Sequence, residues 1–243
     1  METVNIERGS KSEMEHKAAR EVARRLGEAA DRRGHAILAV PGGRSVAGVF
    51  AALQEQDVPW EKVHLFLVDE RFVPADSEQS NFKLARDKLI RPLQDTAGFD
   101  IANAHPLEPD RNKPEDSVRR YETIFSTLHK DTTGDGRPAG FDVAILGVGE
   151  DGHIASLFPG HPALQDRHPG FLTVDGAPKP PPLRMSASGT LISNSAFTLL
   201  LFFGEAKREA LATFLQPGTR VQQCPALFAV SAAECLVVTD LTS

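Results

Sequence analysis

The sequence predicts an α/β protein in which a mostly parallel sheet is flanked by helices. Apolar runs suited to strands alternate with amphipathic runs suited to helices, which is the order of βαβ units. The run Val143 to Leu146 is apolar without alternation, as in a parallel strand covered on both faces. The 243 residues show no repeat and no linker, so we expect a single domain over residues 1–243.

The first half of the chain begins with an amphipathic helix from Met14 to Arg33. Its apolar and small side chains recur every three or four residues, and Gly34 ends it. Strands and helices then alternate, and we predict a strand His35–Val40, a helix Ser45–Gln54, a strand Val63–Val68 and a helix Ser80–Ile90.

The second half begins with an irregular stretch. Arg91 to Pro114 contains four prolines, which predicts a long connection before a helix at Glu115–Leu128. Asp131 to Gly140 predicts a surface loop, and the four prolines between Ala177 and Leu183 exclude a helix or central strand there. The remaining predicted elements are the central strand, a strand Ala196–Phe203, a helix Gly204–Leu215 and a strand Cys235–Thr239.

Composition narrows the class of protein. The chain is 41% hydrophobic and 25% charged, the balance of an ordinary globular protein. Its formal net charge of -6 argues against a nucleic-acid binder, because affinity for a phosphate backbone comes mainly from clustered lysines and arginines. An anionic ligand must therefore meet a local group of cations.

The first residues contain no apolar stretch long enough for a signal peptide, and no later segment reaches about 18 uninterrupted apolar residues. Cys224 and Cys235 are too few for a disulfide framework and lack metal-ligand spacing, so we interpret both as buried free thiols in a reducing compartment. We expect a cytoplasmic monomer or weak homodimer with no membrane or nucleic-acid partner.

A glycine-rich loop follows the central strand and carries Gly149, Asp151 and His153. Ligands of open α/β sheets bind beyond the carboxyl ends of the strands. Glycine lets the backbone approach a ligand closely, and the unperturbed pKa of histidine lies near neutrality. We interpret this loop as part of an active site, the alternative being a glycine-rich turn with a surface histidine.

The first predicted strand ends in a second glycine-containing loop, with Gly42, Gly43, Arg44 and Ser45. Backbone amides at such a turn before a helix bind anions, and Arg44 adds positive charge. The spacing is not that of a nucleotide-binding P-loop, so a purely structural turn is the alternative.

Charged side chains follow the strand at Val63–Val68. Asp69, Glu70 and Arg71 come directly after it, and Asn81 lies shortly beyond. We interpret them as contacts to a polar ligand at the sheet edge. The alternatives are a solvated loop with an internal ion pair and, for Asn81, a helix N-cap.

Two further cations complete the set of candidate anion contacts. Lys207 lies in the first turn of a predicted helix, after an apolar strand and a glycine, and Arg184 follows the proline run. If these side chains meet Arg44 and Arg71 at one edge, an acidic protein gathers its cations there and should bind a small anion. Exposure to solvent is the alternative for both.

Five motifs occur in a fixed order along the chain. They are Pro-Gly-Gly-Arg-Ser from Pro41, Asp-Glu-Arg-Phe-Val-Pro from Asp69 with a later Ser-Asn, Gly-Val-Gly-Glu-Asp-Gly-His-Ile-Ala-Ser-Leu-Phe-Pro-Gly from Gly147, Pro-Pro-Leu-Arg-Met-Ser from Pro181 and Gly-Glu-Ala-Lys from Gly204. With these motifs, the chain resembles the 6-phosphogluconolactonase family, within a larger group that includes glucosamine-6-phosphate deaminases and isomerases. The third motif is highly specific.

The resemblance implies a Rossmann-like sheet and the hydrolysis of a sugar-phosphate lactone, 6-phospho-D-glucono-1,5-lactone, without a metal or other cofactor. A lactone is an activated ester, so water made nucleophilic by a general base suffices. We assign His153 as the base and Asp151 as the carboxylate that orients it. Arg71 or backbone amides of the glycine loops would stabilise the oxyanion.

The same resemblance places the 6-phosphate on Gly42, Gly43, Arg44 and Ser45, with Lys207 and Arg184, and gives Asp69, Asn81 and Gly149 as further substrate contacts. Many relatives carry Ser or Thr directly after the Gly-Gly pair. Here Arg44 stands at that position, so the hydroxyl contact falls to Ser45 or is replaced by the guanidinium.

Two other functions use the same scaffold. A deaminase or isomerase acting on an amino-sugar phosphate typically carries Asn-Glu-Pro-Gly where this chain has Leu-Phe-Pro-Gly, and Phe158 cannot transfer a proton. A non-catalytic sugar-phosphate sensor would keep the cations without the base, since fold alone does not settle function. The presence of both Asp151 and His153 favours an enzyme.

Overall fold

The centre of the structure is a parallel sheet of six strands, seen in a computed structural model that describes residues 4–130 and 138–242. The strands are β1 (Asn5–Arg8), β2 (Ala36–Val40), β3 (Val63–Leu67), β5 (Val143–Gly147), β8 (Phe197–Phe202) and β9 (Glu234–Thr239). Their order is β1-β9-β8-β5-β2-β3, and every pair is parallel. The predicted parallel sheet is confirmed, and β2, β5 and β8 are buried almost throughout.

A second, antiparallel sheet of three short strands lies beside the first. It consists of β4 (Asp69–Arg71), β6 (Phe171–Val174) and β7 (Arg184–Ala187) in the order β4-β7-β6. This sheet was not predicted from the sequence, because strands of three or four residues carry too little periodicity to be recognised. Its register sets Arg71 opposite Arg184.

Helices cover the central sheet. They are α1 (Lys11–Arg33), α2 (Ala47–Leu53), α3 (Asn81–Ala85), α4 (Arg91–Ala97), α5 (Pro114–Lys130), α6 (Gly189–Ser193) and α7 (Arg208–Leu215). A capping box of Ser10 and Glu13 begins α1, and Gly34 ends it with φ of 81°. The predicted helices are confirmed within a few residues, whereas α6 and β1 were not predicted.

The predicted long connection from Arg91 to Pro114 is wrong in its first part. A π-helical turn at Arg86–Ile90 carries the helix that begins with α3 on into α4, which ends at Gly98. Pro92 lies inside this continuous helix, just after the π-helical turn. The Lys88 carbonyl, four residues before the proline, accepts a hydrogen bond from Gln54 Nε2 at 2.8 Å instead of from a backbone N–H. The loop predicted at residues 131–140 falls mostly outside the described residues.

The strand order reverses direction at β2. The chain passes from β2 to β3 on one side, and later places β5, β8 and β9 on the other side. Such a switch opens a crevice at the carboxyl ends of the two diverging strands, and ligands of α/β sheets bind there. The loops after β2 and β5 therefore flank the expected ligand crevice. No helix within the described ranges has the length and apolarity needed to cross a membrane.

Two stacked histidines lie near the edge strand β3. His64 on β3 and His105 have ring centroids 5.3 Å apart, and His64 Nδ1 lies 3.1 Å from His105 Nε2. Burial and the charge of His64 lower the pKa of His105 to about 4, and burial and the charge of His35 lower the pKa of His64. Both imidazoles are therefore neutral in the folded protein at neutral pH.

We predict that this stack makes the protein less stable in mild acid. In the unfolded chain His105 binds a proton near pH 6.5, whereas in the folded chain its pKa is about 4. The stability that neutral His105 contributes is therefore fully present above pH 6.5 and is lost as the pH falls toward 4. We expect His105 to contribute about 1 to 2 kcal/mol, less than the whole shift because the ring is partly solvated. Urea unfolding between pH 4 and 7 measures it.

The variant His105→Gln should flatten this pH dependence. His16→Gln, on the outer face of α1, controls for the substitution itself. An equally steep pH dependence in His105→Gln would contradict the assignment.

Candidate active site

The loop after β5 turns back on itself at two glycines. Gly149 N–H donates to the His153 carbonyl at 2.8 Å, and Gly152 N–H donates to the Gly149 carbonyl at 3.1 Å. Gly152 has φ of 83°, a conformation that favours glycine. This tight turn brings the side chains of Asp151 and His153 together.

Asp151 and His153 form a short hydrogen-bonded pair. His153 Nδ1 lies 2.5 Å from Asp151 Oδ1, and the His153 backbone N–H donates to the same oxygen at 3.2 Å. Burial opposes the charged carboxylate, but the hydrogen bond and charge of His153 outweigh it and lower the pKa of Asp151 to about 2. A carboxylate at Nδ1 favours the tautomer that leaves Nε2 free to accept a proton.

The surroundings of His153 hold its ring in place. A Cβ atom at Gly149 would lie 2.0 Å from His153 Nδ1, so only glycine leaves room for the imidazole. On another side the Phe158 ring centroid lies 4.7 Å from that of His153. The ring is thus confined between backbone, carboxylate and an aromatic face.

The segment around Cys224 packs against this loop. Ala226 N–H donates to the Gly152 carbonyl at 3.0 Å, and a Cβ at Gly152 would lie 2.9 Å from Cys224 Sγ. Burial raises the pKa of the Cys224 thiol to about 11, so it serves as a packing group. Both cysteines are free; Cys224 is buried as expected, whereas Cys235 is only partly buried.

The loop after β2 approaches β4 and α3 closely. Gly43 has φ of 86°, and Arg44 opens a 3₁₀ turn that leads into α2. A Cβ at Gly42 would lie 1.8 Å from Asn81 Oδ1, so glycine is required for this approach. Gly42 to Ser45 therefore sit beside the strand that carries Asp69.

Charges from separate loops act on Lys207, and Arg44 is among them, whereas Arg71 and Arg184 act on each other. Lys207 is partly buried, and burial lowers the pKa of its ammonium. The charges of Glu150 and Asp151 raise that pKa, while those of Lys179 and Arg44 lower it. The loops after β2 and β5 thus place Arg44 and Asp151 within electrostatic range of Lys207, which follows β8.

Asp69 and Asn81 are buried beneath the carboxyl-terminal edge of the sheet. Asn81 Nδ2 donates to the Asp69 carbonyl at 2.8 Å and to its Oδ1 at 3.1 Å, and Ser156 Oγ donates to Oδ2 at 2.7 Å. The N-cap of α3 is Ser80, so the alternative interpretation of Asn81 as a cap is wrong. A substrate contact by either side chain remains a prediction.

Glu70 and Arg71 point to different surroundings. Glu70 is buried and accepts hydrogen bonds from Ser80 Oγ and from three backbone N–H groups; burial raises the pKa of its carboxyl despite these bonds. Arg71 Nη1 donates to the Gln79 carbonyl at 2.6 Å, and its buried Nε has no hydrogen-bond partner among the described residues. Glu70 organises the loop, while Arg71 retains an unused donor.

Arg184 is buried, with 4% of its surface exposed. Its Nε donates to the Pro181 carbonyl at 2.7 Å and its Nη2 to the Lys179 carbonyl at 2.8 Å. Its Nη1 lies 4.0 Å from Asp69 Oδ2. The alternative interpretation of Arg184 as a solvent-exposed side chain is therefore wrong, and the guanidinium lies under the proline-rich segment. Its contact with the phosphate remains a prediction.

Sequence reasoning missed two residues of this region, Ser156 and Lys179. Ser156 lies in the most specific motif and is fully buried against Asp69; only its position five residues after Asp151 hinted at a role. Lys179 stands among four prolines, which drew attention to backbone rigidity rather than to charge. Within residues 4–130 and 138–242, no group of three His, Cys, Asp or Glu side chains is arranged to hold a metal.

Two other hollows lie away from this edge. One of about 330 Å³ is lined by residues at the amino ends of β8 and β9, and one of about 780 Å³ lies between α5 and residues 161–173. Neither is lined by Asp151, His153, Arg44 or Lys207. We place the site at the strand ends because the strand order and the charges converge there.

Comparisons with known proteins place the chain in one protein family. Residues 9–238 match the family model of glucosamine-6-phosphate isomerases/6-phosphogluconolactonase. The chain is 34% identical to the 6-phosphogluconolactonase of Synechocystis over 90% of this chain and 88% of that protein. It is also 34% identical to a probable chloroplastic 6-phosphogluconolactonase of rice over 79% of this chain, but spans only 60% of that longer protein.

Solved structures share the fold. The crystal structure of a 6-phosphogluconolactonase from Shewanella baltica has a TM-score of 0.79 and 28% identity, and the match covers 98% of this chain and 97% of that one. A monomeric glucosamine-6-phosphate deaminase reaches a TM-score of 0.78 at 20% identity over 97% of each chain. The fold alone therefore does not separate lactonase from deaminase.

We predict that Gly149→Ala separates His153 from Asp151. The new methyl group would occupy the space of His153 Nδ1, so the ring must turn away and the hydrogen bond must break. Nitrogen NMR of the imidazole should show loss of the Nδ1–H bond to the carboxylate. Gly147→Ala, whose Cβ would meet open space, is the matched control, and an intact pair in Gly149→Ala would refute the packing argument.

Proposed function

This chain belongs to the glucosamine-6-phosphate isomerase/6-phosphogluconolactonase family, and we propose that it acts there as a lactonase. It hydrolyses 6-phospho-D-glucono-1,5-lactone to 6-phospho-D-gluconate, the second step of the oxidative pentose phosphate pathway. The observation that carries this function is the Asp151–His153 pair, held at 2.5 Å beside a group of cations. The pair supplies a general base, and the cations supply a binding site for the substrate phosphate.

His153 activates the attacking water in this proposal. Nε2 takes a proton as the water oxygen bonds to the lactone carbonyl carbon, and Asp151 stabilises the resulting imidazolium at Nδ1. The tetrahedral intermediate then collapses, the bond to the ring oxygen breaks, and that oxygen receives the proton from His153. One water is consumed, and the base returns to its starting state.

Arg71 is our candidate for stabilising the oxyanion. Its side chain is only partly buried, and among the described residues the one hydrogen bond of its guanidinium runs from Nη1 to the Gln79 carbonyl. The guanidinium therefore keeps a donor for the oxyanion, and preorganised donors favour the transition state. Backbone amides of the glycine loops are the second candidate. The negative charge that develops on the carbonyl oxygen requires at least one of these donors.

The phosphate would bind at the opposite end of the substrate, on Gly42 to Ser45 and Lys207. Lys207 is partly desolvated and lies within range of the Arg44 charge. A phosphate dianion relieves the repulsion between such cations and accepts hydrogen bonds from both. This division separates binding of the phosphate from chemistry at the lactone carbon.

Phe158 favours the lactonase over a deaminase. Its ring packs against His153 with the centroids 4.7 Å apart, at the position where the deaminase pattern carries an acid. An apolar ring there offers no group for proton transfer in ring opening of an amino sugar. The cytoplasmic location and the monomeric or weakly dimeric state remain predictions.

We predict that His153→Ala lowers kcat by about 10²- to 10⁴-fold, the usual contribution of a general base, with little change in KM. Acid release from freshly prepared lactone, corrected for spontaneous opening, measures both constants. His16→Ala is the control for loss of a histidine elsewhere. A wild-type kcat in His153→Ala would exclude His153 as the base, and no turnover by the wild type would favour a sensor.

We predict that Lys207→Ala raises KM by about 10-fold or more and leaves kcat within about threefold. A charged hydrogen bond to phosphate contributes about 1.5 to 3 kcal/mol, and its loss weakens ground state and transition state alike. The same assay measures the effect, with Lys62→Ala at the amino end of β3 as the control. An unchanged KM would remove Lys207 from the phosphate site.

A further inference from the structure

The turn that follows His153 contains a strained residue. Leu157 N–H donates to the Ile154 carbonyl at 2.9 Å, and Ala155, at the second position of this turn, has φ of 50°. Turns with a positive φ at that position favour glycine, asparagine or aspartate. Among the residues that the structure describes, Ala155 is the only one other than glycine with a positive φ. Its conformation must therefore be imposed by its surroundings.

Ser156, the next residue of this turn, forms hydrogen bonds through both its side chain and its backbone. Its Oγ donates to Asp69 Oδ2 at 2.7 Å, and its N–H donates to Ser186 Oγ at 3.1 Å. Ser156 and Ser186 are fully buried, and Asp69 is nearly so. Since water does not reach these groups, leaving either hydrogen bond unmade is costly.

Asp69 and Ser186 form one cross-strand pair of the antiparallel sheet. They lie opposite each other on β4 and β7, so their side chains share one face of that sheet. Asp69 Oδ1 accepts from Asn81 Nδ2 at 3.1 Å, and Ser186 Oγ donates to the Ala187 carbonyl at 2.9 Å. Ser156 thus joins the turn to a pair of side chains that are themselves fixed.

Packing alone would not set the direction of this turn. The side chains of Ile154 and Leu157, at its two ends, are fully buried, but burial of apolar surface is non-directional. The two hydrogen bonds of Ser156 have preferred directions. Before the turn, the His153 carbonyl accepts from Gly149 N–H at 2.8 Å. His153 is therefore held on one side by the glycine loop and on the other by the bonds of Ser156.

We propose that Ser156 is a positioning residue for His153, and that the small antiparallel sheet is the platform to which it fixes the active-site turn. Without the hydrogen bonds of Ser156, Ala155 relaxes out of the left-handed region and the His153 imidazole shifts relative to the substrate. The inference rests on the proposed function, because it assumes that His153 is the base in lactone hydrolysis.

The variant Ser156→Ala tests this role through kcat. We expect kcat to fall by about 10- to 100-fold, since a small displacement of a catalytic group lowers the rate by up to about that factor. KM should stay within about twofold, because the phosphate contacts are unchanged. Ser186→Ala removes only the acceptor of Ser156 N–H and should lower kcat by a smaller factor.

Ser117→Ala, which removes another buried hydroxyl on α5, is the matched control. An unchanged kcat in Ser156→Ala, or an equal loss in Ser117→Ala, would overturn the proposal. Thermal unfolding establishes that each variant is folded.

Rescue by glycine separates positioning from a general loss of stability. Glycine adopts a positive φ without strain, so Ala155→Gly combined with Ser156→Ala should have a kcat within about threefold of that of Ala155→Gly alone. The same low kcat in the double variant as in Ser156→Ala would contradict positioning through the turn.

Nitrogen NMR of the His153 imidazole provides a measurement that needs no turnover. Its signals should shift in Ser156→Ala and return toward their wild-type positions in the double variant with Ala155→Gly. Unchanged signals in Ser156→Ala would contradict a displacement of the ring. Wild-type protein that does not hydrolyse the lactone would refute the proposed function, whereas the NMR comparison would still decide whether Ser156 positions His153.

Discussion

The parallel pairing of β2, β5 and β8 is the constraint on which the site depends. All three strands run in the same direction, so the loops that follow them begin at one edge of the sheet. Their nearly complete burial fixes the register, since a slip would expose apolar side chains and misplace every loop. The loop of Gly42 to Ser45, the loop of Asp151 and His153 and the turn that carries Lys207 are therefore placed together by the hydrophobic core.

This arrangement places carboxylates and several cations close together. Ion pairs between them would cancel the positive charge of the site. Asp151 forms a short hydrogen bond with His153. Asp69 accepts hydrogen bonds from Asn81 and Ser156 beneath the sheet edge. The carboxylates nearest to the cations are thus already occupied or lie beyond ion-pair distance. A local positive site can persist in an acidic protein because its nearest acids either bind other partners or, like Glu150, act on Lys207 only through their charge.

The sequence revealed the parallel sheet and the loops that matter, because unalternating apolar runs and strand-end charges are local signals. Asp151, His153, Arg44 and Lys207 could be named for that reason. The burial of Asp69 and Arg184 could not, since it depends on β4 and β7, which are too short to show a pattern. The continuation of the helix into α4 was hidden because proline in a helix interior predicts a break, whereas the π-helical turn before Pro92 and the hydrogen bond from Gln54 to the Lys88 carbonyl accommodate it here.

A crystal structure with 6-phosphogluconate bound tests the central claim most directly, because it locates both ends of the ligand at once. We expect the phosphate on the loop of Gly42 to Ser45 with Lys207, and the C1 carboxylate beside His153 Nε2. A phosphate bound at His153, or a ligand seated in the hollow between α5 and residues 161–173, would contradict the account.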